Sequence, residues 1–445
     1  MYRFYLAILL ASLSAAGMAQ NAVRHANSAG MPMGFISAGD GIFLDGEGRP
    51  IRIQGINVIR KSKTVGYTGD LGPADFARIR GWGMNAIRLG IFWDGLEPRP
   101  GVFDQAYLGR IARLVGYAKA QGLYVLLDMH QDLYSVKFAD GAPVWATLDD
   151  GQPHAAVSNW NDAYYVSPDV QAALDHFWAN SPAADGVGLQ DHYAKAWQFV
   201  ARRFKDEPAV LGYDLMNEPF PGKDAGRLEY TMLARVAELL AERHGGPHPT
   251  TEDLMKMEGD KEGFRQITLW LGDIALYRGM LDAGEGVMQD FDRSRLMPFY
   301  GRVRTAIRAI DSRHILFLES AMSSNLGVAT SITPLVDEAG RRDPEQAYSP
   351  HVYDIVVDTD LFALTSNERI ALIIDRHRSF AARNHFPVLV GEWGAFYLNP
   401  ATAQATSDLK DRFSRAGFSD MFWAYRREMT NWSGLKALKV PAAMN

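Results

Sequence analysis

Two glutamates each follow closely on an apolar, strand-like run of the chain. Glu218 follows the run 211–216 with one residue between them, and Glu392 comes directly after the run 387–391. If both runs are parallel strands of one barrel, both carboxylates emerge at the same end and face one substrate. Cleavage of a glycosidic bond with retention of configuration needs such a pair, at a separation of about 5–5.5 Å. The pattern therefore predicts that Glu218 protonates the leaving oxygen as acid/base and that Glu392 attacks the sugar as nucleophile.

Other polar side chains lie on or just after strand-like runs. Arg88 lies within an apolar run, where an unpaired guanidinium is costly to bury, so we expect it to pair with Glu392 or with another acid. His351 and Tyr353 lie two positions apart and therefore share one face of a strand. We expect Arg88 and Tyr353 to keep Glu392 charged and correctly aimed. Glu319, after the fifth run, is a rival carboxylate that spacing does not exclude.

Four further residues have side chains suited to binding sugar. His130 and Asp132 end the third run in a polar cluster and would hydrogen-bond sugar hydroxyls. Asn217 would contact the hydroxyl beside the reacting carbon. Trp423 would stack on the apolar face of the sugar, or else belong to the core. The histidines form no set with the spacing of metal ligands, so we expect neither a metal nor another cofactor.

Eight strand-like runs alternate with segments of helical periodicity. The runs lie at 52–57, 85–91, 123–129, 211–216, 314–319, 348–353, 387–392 and 418–424. This alternation predicts an α/β protein with a parallel sheet and right-handed crossovers, and eight units predict a single (β/α)8 (TIM) barrel. Before the barrel, residues 41–45 and 51–53 predict a β-hairpin. Polar residues that follow the runs then lie at the C-terminal end of the barrel, where barrel active sites are built.

The N-terminus has the pattern of a secretory signal. Arg3 precedes an apolar stretch at 4–13, and Gly17-Met18-Ala19 is a typical cleavage site, so we expect residues 1–19 to be removed. The stretch is too short for a membrane span, and no later segment has the roughly 18 apolar residues that one requires. The sequence therefore predicts a secreted or periplasmic protein.

The remaining chain divides into an N-terminal extension at 20–40 and a catalytic barrel domain at 41–445. Two connections exceed ordinary barrel loops: about 131–182 after the third run and about 222–292 after the fourth. Helical periodicity in the second lies at 232–243 and 268–281. Long ordered insertions of this kind usually serve as lids or binding loops.

Composition narrows the classes of protein. Hydrophobic residues make up 47% and aromatic residues 11% of the 445-residue chain, which is typical of a globular enzyme. The absence of cysteine excludes disulfides, thiolate metal sites and a thiol nucleophile. A formal charge of −6 disfavours nucleic acid and anionic membrane surfaces as partners.

Several of these motifs, in this order, resemble glycoside hydrolase family 5. They are Asn85-Ala86-Ile87-Arg88, Asn217-Glu218-Pro219, His351-Val352-Tyr353, Gly391-Glu392 and Trp423. Within that family the chain is most similar to the endoglycoceramidase branch. Three stretches carry this likeness: residues 128–134, residues 140–143 together with Trp145, and the segment that begins with Ser167-Pro168 and ends with Phe177-Trp178.

The resemblance implies a retaining enzyme on a (β/α)8 barrel that cleaves glycosphingolipids between oligosaccharide and ceramide. Glu218 and Glu392 match the acid/base and the nucleophile. Lys61, with Lys63 as the other choice, matches a substrate-binding lysine, and the remaining positions match substrate contacts: His130, Asp132, Asn217, His351, Tyr353 and Trp423. The lipid would lie in an apolar groove, for which the candidate wall is Trp145, Trp160, Tyr164, Tyr165 and Trp178.

Two features depart from the family pattern. Family members commonly carry a C-terminal β-sandwich, which we do not expect here, and the segment 222–292 is longer than usual. That insertion would act as a replacement lid or as a surface that meets a lipid micelle or membrane. Because both departures concern the lipid side, other substrates stay open: those of a β-glucosidase, a glucosylceramidase or an endo-β-glycanase. A glycan-binding barrel without catalysis is the least favoured alternative.

Overall fold

The structure is a computed structural model that describes residues 34–157, 159–244 and 248–439. The predicted signal sequence and most of the predicted extension lie outside the described residues. Within the described residues, no helix combines the length and the apolar character that crossing a membrane requires.

The strands close into a barrel. Those of the described residues are β1 (Ser37–Ala38), β2 (Phe43–Leu44), β3 (Pro50–Ile51), β4 (Gln54–Val58), β5 (Ala86–Ile91), β6 (Tyr124–Met129), β7 (Val210–Asp214), β8 (Ile315–Leu318), β9 (Gln346–Tyr348), β10 (His351–Val352), β11 (Leu389–Gly394) and β12 (Ser419–Trp423). The parallel sheet has the order β10-β11-β12-β4-β5-β6-β7-β8-β9. Because β9 pairs with β8 and β10 pairs with β11, these two short strands act as one and complete the ring. The predicted (β/α)8 barrel and its eight runs are confirmed.

Helices surround the barrel and fill both insertions. They are α1 (Pro73–Gly81), α2 (Trp93–Leu96), α3 (Gln105–Ala120), α4 (Ala163–Val166), α5 (Pro168–Trp178), α6 (Leu189–Phe204), α7 (Asp224–His244), α8 (Thr251–Glu258), α9 (Lys261–Trp270), α10 (Ile274–Phe291), α11 (Met297–Arg308), α12 (Asn367–Asn384), α13 (Ala403–Ala416) and α14 (Leu435–Leu438). The first insertion holds α4 and α5, and the second holds α7 to α10. The helical segment predicted at 268–281 is split, because Asp273 caps α10 by accepting from the backbone N–H groups of Ala275 and Leu276.

Alternation along the barrel strands sets which side chains point inward. In β5, Ala86 belongs to the core inside the barrel, whereas Ile87 and Leu89 pack against the surrounding helices. The period of two then places Arg88 on the inner face, one step nearer the C-terminal end. The same alternation in β6 places Asp128 on the inner face.

The predicted hairpin, β2 and β3, forms a three-stranded antiparallel sheet with β1. Its side chains Phe43 and Ile51 join the core inside the barrel, and the ring of Phe43 lies 6.0 Å from that of Phe317. The hairpin therefore closes the N-terminal end of the barrel.

Candidate active site

Glu218 and Glu392 lie together at the C-terminal end of the barrel. One oxygen of each carboxylate and one ring nitrogen of His351 all lie within 4.8 Å of one another. Both glutamates are nearly buried, with 7% and 5% of their surface exposed. This spacing fits a retaining pair, at about 5–5.5 Å, and is shorter than the roughly 6.5–9.5 Å of an inverting pair.

Glu392, on β11, has a hydrogen-bond donor on each carboxylate oxygen. Arg88 donates from Nη1 to Oε1 at 2.7 Å, and the hydroxyl of Tyr353 donates to Oε2 at 2.9 Å. These are the two partners that the sequence predicts. They hold the carboxylate in one plane, so that it has a single direction of attack.

The hydrogen-bond partners of Glu392 do not by themselves decide whether its carboxylate is charged. Burial raises the pKa of Glu392 to about 7, although the charges of His351 and Arg88 act to lower it. Arg88 and Tyr353 favour the charged carboxylate, as the sequence analysis expects. The loss of water on burial favours the neutral form instead, and the sequence analysis did not take it into account. Glu392 is therefore mostly charged only above about pH 7.

We expect kcat/KM for a glycoside with a good leaving group to rise with pH through about 7, because only deprotonated Glu392 can attack. Rates on a dinitrophenyl β-lactoside across a pH series measure this acid limb. The Tyr353→Phe variant removes a donor that favours the charged form, so its acid limb should move to higher pH. An acid limb near 4.5, the ordinary value for glutamate, would contradict the expectation.

Glu218 is held by side chains from two other strand ends. Its Oε1 lies 2.8 Å from Nδ1 of His351 and accepts from Nδ2 of Asn325 at 2.7 Å. Asn325 belongs to the 3-10 turn Met322–Leu326, and sequence analysis missed it because nothing in that loop shows a periodic pattern. The backbone of Glu218 has a φ of 43°, in the left-handed region that non-glycine residues seldom adopt.

His351 contacts carboxylates through both ring nitrogens. Its Nε2 lies 3.2 Å from Oε1 of Glu319, and its side chain is fully buried. Burial acts to lower the pKa of His351, but the charges of Glu319 and Glu392 raise it well above its usual value. The surrounding carboxylates therefore favour the protonated form of His351, which contacts Glu218. Both ring nitrogens of His351 face carboxylates of the protein, whereas the resemblance implies a substrate contact.

Arg88 is the centre of the buried polar network, and its side chain is fully buried. Nε donates to Asp214 at 2.9 Å. Nη1 donates to Glu392 at 2.7 Å and to Asn57 at 3.1 Å. Nη2 donates to Glu319 at 2.8 Å and to Asn217 at 2.9 Å, and it lies 3.0 Å from Asp128. Asn217 also donates one N–H to the carbonyl of Gln131 at 3.0 Å. Its second N–H is available for the predicted sugar hydroxyl.

The predicted sugar-binding side chains lie together beside Glu392. Lys61 pairs with Asp132, and its Nζ lies 5.0 Å from the ring centroid of Trp423. Lys63 pairs instead with Asp94 at 2.8 Å, so Lys61 is the lysine at the site. A cation, a carboxylate and an indole face thus border one space.

His130 completes this group. Its ring stacks on that of Trp423 at 5.7 Å, with an interplanar angle of 16°. Burial and the charge of Lys61 lower the pKa of His130 well below its usual value, so the ring is neutral. Nδ1 lies 2.8 Å from Asp128, and Nε2 has no hydrogen-bond partner among the described residues. With Nδ1–H donated to Asp128, Nε2 presents a lone pair to a sugar hydroxyl.

Three loops meet at the mouth of the site. The indole N–H of Trp160 donates to Asp358 at 3.3 Å, and the hydroxyl of Tyr397 donates to the other oxygen of Asp358. The ring of Trp160 lies 5.9 Å from Nζ of Lys61. Asp358 and Tyr397 were not found from the sequence, because both lie in loops well beyond the strand ends.

The candidate wall of the apolar groove is only partly open. Trp160 is 38% exposed, Tyr165 is half-buried, and Trp145 donates its indole N–H to the carbonyl of Glu97. Tyr164, Tyr165 and Trp178 all contact Phe220, two residues beyond Glu218, and of these Tyr164 and Trp178 are buried. The ring of Tyr164 stacks on Phe220 at 4.3 Å, and Trp178 donates to the Phe220 carbonyl at 2.8 Å. Tyr164 and Trp178 therefore brace the chain beside Glu218 and do not line an open surface.

Within the part of the chain that the structure describes, three groups of acidic and histidine side chains are compact enough to hold a metal ion. They are His130, Asp132 and Asp140; Glu218, His351 and Glu392; and Asp128, Asp214 and Glu319. A cationic side chain already lies in each: Lys61 on Asp132, protonated His351 itself, and Arg88 among the last three. That the reaction needs no metal stays a prediction.

A family model described as Cellulase (glycosyl hydrolase family 5) matches residues 44–243 and 268–428. The stretch between the two matched segments holds α8 and most of α9. This unmatched stretch lies within the insertion that the sequence analysis places at about 222–292.

Individual proteins that are similar to this chain include endoglycoceramidases. Endoglycoceramidase I of Rhodococcus hoagii (strain 103S) is 34% identical over 194 residues, which are 43% of this chain and 38% of that protein. The alignment thus spans well under half of that relative's length. The structure of Endo-glycoceramidase II from Rhodococcus sp. with ganglioside GM3 has a TM-score of 0.68 and 26% identity, covering 90% of this chain and 81% of the other. The same enzyme as a lactosyl-enzyme intermediate has a TM-score of 0.66 and 26% identity, covering 89% and 80%.

Proposed function

Because the chain belongs to glycosyl hydrolase family 5, we propose that it is a retaining glycoside hydrolase that cleaves the β-glycosidic bond between an oligosaccharide and ceramide in glycosphingolipids. The observation that carries this proposal is the close pair of Glu218 and Glu392, with Arg88 and Tyr353 on the nucleophile. The ceramide part rests on the likeness to endoglycoceramidases, which extends over 90% of the chain.

The chemistry proceeds in two displacements. In the first, Glu392 forms a bond to the anomeric carbon while the bond to the ceramide oxygen breaks and Glu218 gives that oxygen its proton. In the second, Glu218 takes a proton from water, whose oxygen displaces Glu392 and releases the oligosaccharide. Two inversions give net retention. Arg88 and Tyr353 stabilise the charge that returns to Glu392 when the oligosaccharide leaves.

Mass analysis of products from a substrate panel tests the proposal. The panel contains ceramide-linked glycans in detergent micelles, and soluble cello- and manno-oligosaccharides. We expect intact oligosaccharide plus ceramide. Cleavage of the soluble oligosaccharides alone would replace ceramide with a polysaccharide substrate. Release of single glucose from glucosylceramide alone would make the enzyme a glucosylceramidase, and no cleavage at all would favour a glycan-binding barrel.

Replacing Glu218 with alanine should lower kcat/KM for a phenyl β-lactoside by about 10²- to 10⁴-fold, because phenolate leaves poorly without a proton. A dinitrophenyl β-lactoside needs no such help, so its kcat/KM should stay within about 3-fold of the wild-type value. Azide, which needs no general base, should restore turnover and give the β-glycosyl azide. Equal losses on both glycosides would contradict the assignment of Glu218.

Two further proposals concern where the enzyme works. Exposed side chains on the second insertion, Tyr230, Met255 and Leu269, support contact with a lipid micelle, which faster cleavage of micellar than of soluble substrate would reveal.

The N-terminal pattern supports export with cleavage after Ala19. N-terminal sequencing of the mature protein checks that cleavage.

A further inference from the structure

We propose that Glu319 is a positioning residue for acid/base catalysis, whose carboxylate fixes the backbone at Glu218 and so aims the Glu218 side chain at the leaving oxygen. Glu319 follows β8 directly and was a rival catalytic carboxylate on sequence grounds. The inference deepens the proposed function and rests on Glu218 as the acid/base.

The first observation is a hydrogen bond to the strained backbone. The N–H of Glu218 donates to Oε2 of Glu319 at 2.8 Å. Glu218 has a φ of 43°, which a side chain with a Cβ disfavours. A charged acceptor makes a stronger hydrogen bond than a neutral one, and it offsets the strain of this conformation. The carboxylate therefore selects the one backbone conformation that turns the Glu218 side chain toward Glu392.

The second observation is that Glu319 reaches Glu218 by two routes. Its Oε1 lies 3.2 Å from Nε2 of His351, whose Nδ1 lies 2.8 Å from the side chain of Glu218. One carboxylate therefore accepts a hydrogen bond from the backbone of Glu218 and forms an ion pair with the histidine that contacts the Glu218 side chain.

The third observation excludes Glu319 as the acid itself. Glu319 is 1% exposed. Besides the Glu218 N–H on Oε2, its Oε1 accepts from Nη2 of Arg88 at 2.8 Å. Both oxygens of Glu319 therefore already accept hydrogen bonds from the protein. Glu319 can act on the reaction only through the residues that it holds.

The test is the dependence of kcat/KM on the leaving group, which reports the first displacement alone. In Glu319→Gln, an amide cannot accept from Glu218 and from Arg88 at once, because one of its two heavy atoms is a donor. We expect kcat/KM for phenyl β-lactoside to fall by about 10²-fold, as misplacement of a catalytic group by about 1 Å does. For dinitrophenyl β-lactoside the fall should be below about 3-fold. The exposed Glu338→Gln is the matched control, and we expect it to match wild type on both.

Equal losses on the two glycosides, or no loss on either, would overturn the proposal. Glu319→Asp keeps the negative charge beside Arg88 but is too short to reach both donors, so it should show the same selective loss if Glu319→Gln fails to fold. The Glu218→Ala variant separates the two ideas: if it shows no selectivity, the proposed function fails first. A crystal structure of Glu319→Gln gives a readout without activity. Glu218 should leave the left-handed region, and an unchanged φ there would also overturn the proposal.

Discussion

Glu392→Gly should lower kcat/KM for a dinitrophenyl β-lactoside by about 10⁴- to 10⁶-fold, as removal of a covalent nucleophile does in other enzymes. The glycine leaves a space beside the anomeric carbon, in which azide can attack from the side that Glu392 occupied. Azide should therefore restore turnover and give the α-glycosyl azide. Rates with and without azide, and the configuration of the product, measure both effects.

The azide product is the decisive comparison between the two glutamates. Loss of Glu218 leaves the first displacement intact for a good leaving group, so azide attacks the glycosyl-enzyme and the product is β. Loss of Glu392 removes one of the two inversions, so the product is α. Wild-type activity in Glu392→Gly, or a β product from it, would show that another residue is the nucleophile.

Arg88→Met should lower the free energy of unfolding by about 3–5 kcal/mol and abolish activity, because it leaves buried carboxylates without their cation. The four acids that pair with Arg88 are Asp128, Asp214, Glu319 and Glu392. Chemical denaturation, followed by circular dichroism, measures the loss. Arg49→Met is the matched control: Arg49 pairs with Asp45 at the exposed surface, and its loss should cost at most about 1 kcal/mol.

The cost of Arg88→Met should depend on pH with a definite sign. Burial already raises the pKa of Asp128 to about 6 and that of Glu392 to about 7 while the charge of Arg88 is present. Without that charge both values rise further, so the folded variant binds protons more tightly than the unfolded chain. Stability is then regained as pH falls through those values. The difference from wild type should be smaller at about pH 5 than at about pH 8, and a difference that grows on acidification would contradict the explanation.

The strands and their ends could be predicted from the sequence for a physical reason. A parallel barrel strand is buried on both faces, so β6 reads as the unbroken run Tyr124-Val125-Leu126-Leu127 before its first acid, Asp128. Side chains that follow such runs must gather at one end of the barrel. The meeting of Glu218, Glu392 and Arg88 was therefore predictable from local pattern and topology together.

The rest of the site depends on contacts that local pattern does not carry. Asn325 reaches Glu218 from an irregular turn, so no periodicity marks it. The two-residue spacing of His351 and Tyr353 predicts a shared face and a contact of Tyr353 with Glu392, but not that His351 contacts Glu218. The pKa of Glu392 is a balance of burial against nearby charge, and burial is a property of the folded chain.

During folding, the active site forms only when the barrel closes between its first and last strands. β4 pairs with β12, and the contact between Arg88 and Glu392 joins residues 304 positions apart. Forming so long a loop costs chain entropy before any contact repays it, so helices and single β–α units form earlier than the complete ring. The catalytic pair therefore does not exist in any partly folded state that lacks β11 or β12. During refolding, recovered activity marks the final ring closure and lags behind recovered helical signal.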